Sequence, residues 1–600
     1  MLASRHFTPL ALASSLLASL VPSNARAEWL PNGTPVATVT GVQMSTQAAS
    51  DGAGGAFVAW TDGRWVQVQR LTSTGSYAAE WPAVGRVVST GHYRDKDIYP
   101  VLAPDGDGGV YVVWYMSGEN CVAHCSKEPA RLWVQRFTAA GTIAPGWPPE
   151  GVPVQDLSPG WPPYSPSVSP DGDHGVLITW RDSRGVTAQW IDPDGTRRWG
   201  SDGLVICAVQ ELWSQPAIVS DGLGGAFVFW GDHRSTGPCS RIYGQHVSDR
   251  GTPTWAPDGI PISEFPVLVY GFYEGPPVAV PDGARGAIVA WAGSRDAVSG
   301  IFAARVTRGG GLPWQGDVPL STAPGGKDWF RMVPLPGGGA IVAWLDGRRL
   351  RLGDVYAQRI THGGSVAWAP NGVPVCTAPG SRGPFALAGD GSDGAYLAWG
   401  DNRPEAELYA MHLTGEGTIA RGWPLDGAPV SQRVPLLDPN YYSFGALALT
   451  AVSGGQAILA WQDVRPAPNG FIDIEESFAM LLTPGGPATP PGIPRIVKLP
   501  ARPGAQTGPA AHPGFALLGA QPNPASGAPV VHLSLPDAAP ATLELMDVAG
   551  RRIWTREVGD LGTGDHDVRL GDGTWLPPAV YLVRLTQGGR AATARIAIVR

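Results

Sequence analysis

Six segments of the sequence place a tryptophan, an aspartate and an arginine at the fixed spacing W-x-D-x-R, giving the pairs Asp62/Arg64, Asp182/Arg184, Asp232/Arg234, Asp346/Arg348, Asp401/Arg403 and Asp463/Arg465. A carboxylate beside a guanidinium can move protons or hold a charged ligand. Catalysis, however, needs different residues in different roles at one place, which six copies of one pair do not supply. They read instead as turn carboxylates that accept backbone N–H bonds with an arginine alongside. A second element, D-G-x-G-G, alternates carboxylates with glycines as calcium loops do, for instance at Asp105-Gly106-Asp107-Gly108. Most copies offer one carboxylate where calcium takes about six to eight oxygens, so tight turns are expected, with no metal and no cofactor. Cys121 and Cys125 enclose one histidine and lack a fourth zinc ligand; in an exported chain they read as a candidate disulfide. Nucleophile elbow, P-loop and H-E-x-x-H patterns do not occur, and no catalytic residue is assigned.

The more specific chemistry lies where the repeat becomes irregular and aromatic: GHYRDKDIY, PGWPPY, ELWSQ, YGFYEG, KDWFR and DPNYYSF. These segments supply Tyr93, Tyr99, Trp161, Tyr164, Trp213, Tyr270, Tyr273, Trp329, Phe330, Tyr441 and Tyr442, interspersed with Arg94, Asp97, Glu274 and Arg331. Aromatic faces with a few polar groups suit a sugar ring or an extended peptide. They form the candidate ligand-binding rim, and an extracellular glycan or peptide is the expected partner.

The repeat must position that rim. After each D-G turn, or a shorter Gly turn in two copies, an apolar run ends in a tryptophan: Trp60, Trp114, Trp180, Trp230, Trp291, Trp344, Trp399 and Trp461. The run is too short for a helix and reads as a buried strand. One strand precedes it, a half-buried strand such as VQVQRL follows, and a W…G-x-P-V element supplies a fourth. The fourth-strand tryptophans are Trp81, Trp147, Trp199, Trp255, Trp314, Trp368 and Trp423, so the last repeat lacks one; Trp29 of WLPNGTPV is expected to be the missing copy, with GIPRIVKL near Ile493, which lacks the tryptophan, as the rival strand. The predicted fold is all-β: an eight-bladed β-propeller over 28–483, closed by an N-terminal strand and followed by a small Ig-like β-sandwich. In such a ring the irregular segments share one face.

Composition agrees with many short strands and turns, since 81 Gly and 59 Pro occur among 600 residues. Residues 1–27 read as a secretory signal peptide with small residues at Ala25 and Ala27. Residues 484–513 form a Pro/Gly-rich linker, and 514–600 recover strand alternation. A net charge of −8 leaves no basic stripe for nucleic acid, and no later apolar run is long enough for a membrane span.

Along the last eighty-five residues or so, Gln521-Pro522-Asn523-Pro524, Leu535-Pro536, Asp547-Val548-Ala549-Gly550-Arg551, Pro578-Ala579-Val580-Tyr581 and Ile598-Val599-Arg600 occur in order. This region resembles the immunoglobulin-like C-terminal domains that include type IX secretion sorting domains and FlgD-like Ig modules, with Ala579 where that family usually has Gly. The N-terminal region resembles bacterial extracellular β-propeller repeat proteins. The resemblance implies a secreted or cell-surface destination and contact with sorting machinery. The function expected from sequence is a non-enzymatic binding protein displayed at or released from the cell surface; the alternatives are a structural spacer or a propeller hydrolase acting on extracellular glycans.

Overall fold

The structure, a computed structural model, describes residues 29–38, 43–62, 65–88, 100–116, 131–156, 164–209, 214–234, 239–263, 267–268, 276–295, 298–314, 316–349, 353–380, 382–403, 406–432, 447–465, 474–488, 516–521, 530–547, 551–570, 577 and 579–598. The chain forms two compact units, Met1–Ile493 and Pro494–Arg600.

In the first unit the described residues build eight antiparallel sheets, taken here as sheets one to eight in chain order; each has a four-strand path, and sheets four and eight add a short fifth strand, Val267–Leu268 and Gly486–Pro487. Their first strands are Met44–Ser50, Val101–Pro104, Tyr164–Pro170, Ala217–Ser220, Val278–Pro281, Lys327–Pro334, Arg382–Gly389 and Leu447–Val452. Each second strand contains the apolar run with the repeat tryptophan and continues a residue or more past it. Its side chains are buried on both faces, as in Ala226–Asp232 and Ala340–Asp346, because each sheet lies between two others. Each first strand touches the first strand of the sheets before and after it, and the circuit closes from Leu447–Val452 back to Met44–Ser50. The fold is propeller-like.

Sheet eight takes its fourth strand from the other end of the sequence. Thr34 pairs with Ala479 and Pro35 with Phe478. Trp29 is 5% exposed and packs with Val36, Val58, Trp60, Ile458 and Ala460, bridging sheets eight and one. Its indole N–H donates to the carbonyl of Ser73 at 3.0 Å. The same bond to the following sheet recurs from Trp81, Trp147, Trp255, Trp314, Trp368 and Trp423. Close approach requires glycine opposite the ring: a Cβ on Gly75, whose φ is +82°, would lie 2.9 Å from the Trp29 indole. Residues 484–488, where composition places the start of a linker, include a short strand, Gly486–Pro487, that folds back on Ile474–Thr483.

In the second unit, a three-stranded sheet and a four-stranded sheet share a core of Leu533, Leu543, Val583 and Ile596, among others. Asp547 accepts the N–H of Arg551 and pairs with its guanidinium, so the two ends of the D-x-x-G-R element are clamped together. The Tyr581 hydroxyl donates to the carbonyl of Pro577. Among the described residues no helix is long and apolar enough to cross a membrane.

Candidate active site

In sheets three, four, six and seven the W-x-D-x-R residues form one bonded unit. The indole N–H donates to the carboxylate two residues on, at 2.9 Å for Trp180–Asp182 and 2.7 Å for Trp344–Asp346. Trp230–Asp232 and Trp399–Asp401 repeat it. The arginine grips the same carboxylate and reaches the carbonyl at the turn before strand four: Arg184 to Asp202, Arg234 to Asp258, Arg348 to Asn371, Arg403 to Asp426. These bonds commit the pair to the fold. The Asp-Gly turns do likewise. Asp105 Oδ1 accepts the N–H groups of Asp107 and Gly109, and its other oxygen is held by Arg136. Donors surround that carboxylate, which is the reverse of a calcium ligand. Among the described residues no group of three or more His, Cys, Asp or Glu could hold a metal.

The first strand of sheet six departs from the pattern in its content. Its register against the second strand is Asp328 with Leu345 and then Arg331 with Ala343, so two residues, Trp329 and Phe330, oppose one. This β-bulge changes which residues share a face. In a regular strand positions three apart face opposite ways, but Leu345 and Ala343 lie two apart, so Asp328 and Arg331 stand on one side. The same bulge occurs in the first strands of sheets one and three, and one displaced by a residue occurs in sheet seven. Only in sheet six does it carry an acid, an indole and a guanidinium. Trp329 adopts φ +52°, a left-handed conformation costly for a bulky residue and concentrated at functional sites. Its side chain is 43% exposed.

Of the predicted rim, the structure therefore presents Trp329. Phe330 is 2% exposed and packs with Ile288, Val342 and Tyr356 between sheets five and six. It is a core residue and is corrected from the rim, because the bulge turns its neighbour outward and Phe330 inward. KDWFR, read as part of a connecting loop, is the start of a strand. Tyr164 begins the first strand of sheet three, opposite Arg181. Tyr93, Tyr99, Trp161, Trp213, Tyr270, Tyr273, Tyr441 and Tyr442, with Cys121 and Cys125, lie outside the described residues. Cys207 and Cys376 are buried free thiols at the ends of fourth strands.

Sequence reasoning missed Asp328 and the buried cation beside it. Lys327 Nζ donates to the carbonyls of Ala323 and Gly325, both at 2.8 Å, and lies 3.5 Å from Asp346. Burial pulls this ammonium below its usual range against the attraction of Asp346. Burial pushes the Asp328 carboxyl above the ordinary range, and Lys327 offsets only part of that. A carboxyl raised in this way binds its proton more tightly folded than unfolded. Stability therefore falls as pH rises from the ordinary aspartate value of about 3.9 through the raised one. Asp328→Asn should raise the thermal midpoint at about pH 7 and leave it unchanged at about pH 3.5, where both forms are neutral. Unfolding scans of both proteins at the two pH values check this; equal midpoints at both would show that burial does not perturb the acid.

No family model matches the chain, and no curated protein does. Solved structures to which it is similar include a polysaccharide lyase described as an ulvan lyase bound to -[GlcA(1-4)Rha3S]- (10% identity, 68% of this chain and 97% of that one, TM-score 0.36). The α-L-arabinofuranosidase of Fusarium graminearum is another (11% identity, 54% and 96%, TM-score 0.31). A third is a Bacteroides ovatus protein described as xyloglucan PUL GH43B (11% identity, 72% and 89%, TM-score 0.25). At such TM-scores the likeness assigns no role to any residue of this chain. The expectation of a non-enzymatic binding protein finds no support among them: the named structures are glycan-processing enzymes.

Proposed function

We propose that this chain is an extracellular glycan-processing enzyme on an eight-bladed β-propeller, closed by the Thr34–Pro35 segment and followed by an Ig-like β-sandwich. The closed circuit of first strands and the recurring tryptophan bonds support the ring; two sheets on one core support the sandwich. The observation that carries the enzymatic reading is Asp328. It is a partly buried carboxyl whose proton is held above the ordinary range, on one bulge with an exposed indole and a guanidinium. Perturbed acids in such settings are candidates for proton transfer.

In glycoside hydrolysis the bond from the anomeric carbon to the departing oxygen breaks as that oxygen takes a proton. Asp328 is placed to supply it, with Trp329 stacking on a sugar face. Water then adds its hydroxyl to the anomeric carbon, and its remaining proton passes to a second carboxylate. Asp97 and Glu274, the rim acids of the sequence, are the residues to substitute for that role. The test is release of reducing ends from a polysaccharide panel by the full chain, with Asp328→Asn expected to cut turnover by about 10²- to 10⁴-fold. A folded wild type that cleaves nothing, or cleavage indifferent to Asp328→Asn, would refute the assignment. The leader 1–27 and the unit Pro494–Arg600 are proposed to carry the chain outward and retain it at the surface; deletion of 494–600 should then leave the ring folded but change where it accumulates.

A further inference from the structure

The eight first strands together carry four residues of Lys, Arg, Asp or Glu type: Lys327, Asp328, Arg331 and Arg382. Lys327 and Arg382 are buried against carboxylates, the first near Asp346 and the second between Asp354 and Asp401. Arg331 is different. Among the described residues it has no carboxylate partner, and its hydrogen bond runs from Nη1 to the carbonyl of Phe330 at 3.1 Å.

Its surroundings show why that matters. The side chain stays open to solvent, yet burial is the sole cause pulling its guanidinium below the usual range. In Arg234, Arg348 and Arg403, burial pulls the same way but carboxylate bonds outweigh it. A group both wetted and crowded by protein is expected where a side chain faces the narrow axis of a ring. Register extends the point around that axis. Arg331 pairs with the residue just before the repeat tryptophan, and the equivalent residues in the other seven sheets, Gln47, Val101, Ser167 and Val278 among them, are all uncharged. Among the described residues, no first strand places an acid at this level to neutralise the cation. An uncompensated charge crowded by protein costs stability, and such groups concentrate at functional sites.

We propose that Arg331 is the anion-recognition residue for an acidic glycan, gripping a uronate carboxylate or a sulfate ester while Trp329 stacks on a sugar face. The planar guanidinium matches either anion through two N–H bonds, and the bulge presents the indole two residues away. The subsite rests on the glycan reading given above and narrows it to acidic polymers.

The test uses the full chain as Asp328→Asn, to suppress turnover, titrated with polygalacturonate (carboxylate), carrageenan (sulfate ester) and arabinan (neutral). At least one acidic polymer should bind. Adding Arg331→Gln should weaken it tenfold or more, and Arg331→Lys should weaken it less. Arg331→Gln should melt no lower than its parent, since it removes an unpaired cation, and a similar melt for Arg331→Lys keeps the comparison sound if the glutamine variant fails to fold. Acidic polymers bound equally well by Arg331→Gln and its parent overturn the subsite. Binding of arabinan alone, or wild-type cleavage of neutral polymers only, also overturns it while leaving the glycan reading standing. If no polysaccharide is bound or cleaved, both fail.

Discussion

Trp29→Ala should destabilise the first unit by about 3–5 kcal/mol, the cost of truncating a large buried aromatic. The loss falls at the one place where sequence-distant ends meet. Trp29 fills the space between sheets eight and one, and its N–H bond to Ser73 is the same sheet-to-sheet link that the other fourth-strand tryptophans make. Without it the strand Thr34–Pro35 holds sheet eight by two paired residues, and the third strand Ile474–Thr483 becomes an exposed edge open to aggregation. A milder pair of variants separates packing from hydrogen bonding. Trp29→Phe keeps most of the ring volume but strands the Ser73 carbonyl, at about 1 kcal/mol. Trp199 holds the equivalent place in sheet three, and its buried indole nitrogen has no partner among the described residues. Trp199→Phe should therefore cost less than Trp29→Phe. Denaturant melts of the three variants decide the matter, and the account fails if Trp29→Ala melts with the wild type.

The clasp was legible because a repeat converts position into information: a fourth-strand tryptophan in seven units makes the eighth conspicuous by displacement. The Asp-Gly turns were legible for the same reason. The site was legible only in part. KDWFR stood out by composition, but a bulge inserts a residue and breaks the two-residue alternation from which a strand is recognised. Trp329 and Phe330 consequently looked alike, although one is outside and the other is core. Aligning FRMVPL with TQAASD of sheet one, backwards from the following turn, would have shown that Phe330 takes the place of buried Thr46 and Trp329 that of Ser45, which also has positive φ. Asp328 carried no signal at all. Its raised proton affinity comes from burial, and its neighbour Lys327 is neutralised by Asp346 across the strand pair, a relation that exists only after the register is set.

Asp346→Ala is expected to cost about 3–5 kcal/mol, the range for removing one partner from a buried ionic cluster. Three side-chain donors lose their acceptor at once, the Trp344 indole at 2.7 Å, the Arg348 guanidinium at 2.7 Å and the Lys327 ammonium at 3.5 Å, together with the Arg348 backbone N–H. Burial raises the Asp346 carboxyl, but the bonds from Arg348 and Trp344 and the charge of Lys327 more than reverse it, leaving it below the ordinary range. A carboxylate depressed in the folded state contributes stability that is full above the unfolded value of about 3.9 and is lost as pH falls below it. The gap between wild type and variant should accordingly shrink in acid. Lys327→Met should restore part of the loss in the Asp346→Ala background, since it removes a buried ammonium that no longer has a counter-charge, whereas additive losses would show that the two groups do not interact. The two effects meet at the bulge. With Asp346 gone, Lys327 has Asp328 as its remaining nearby acid, and stronger pairing there would draw that carboxyl back toward ionisation. An enzyme that uses Asp328 as a proton donor should then show its alkaline activity limb moved to lower pH in Asp346→Ala and moved back by Lys327→Met. A limb that stays in place in both would separate Asp328 from the proton-transfer step.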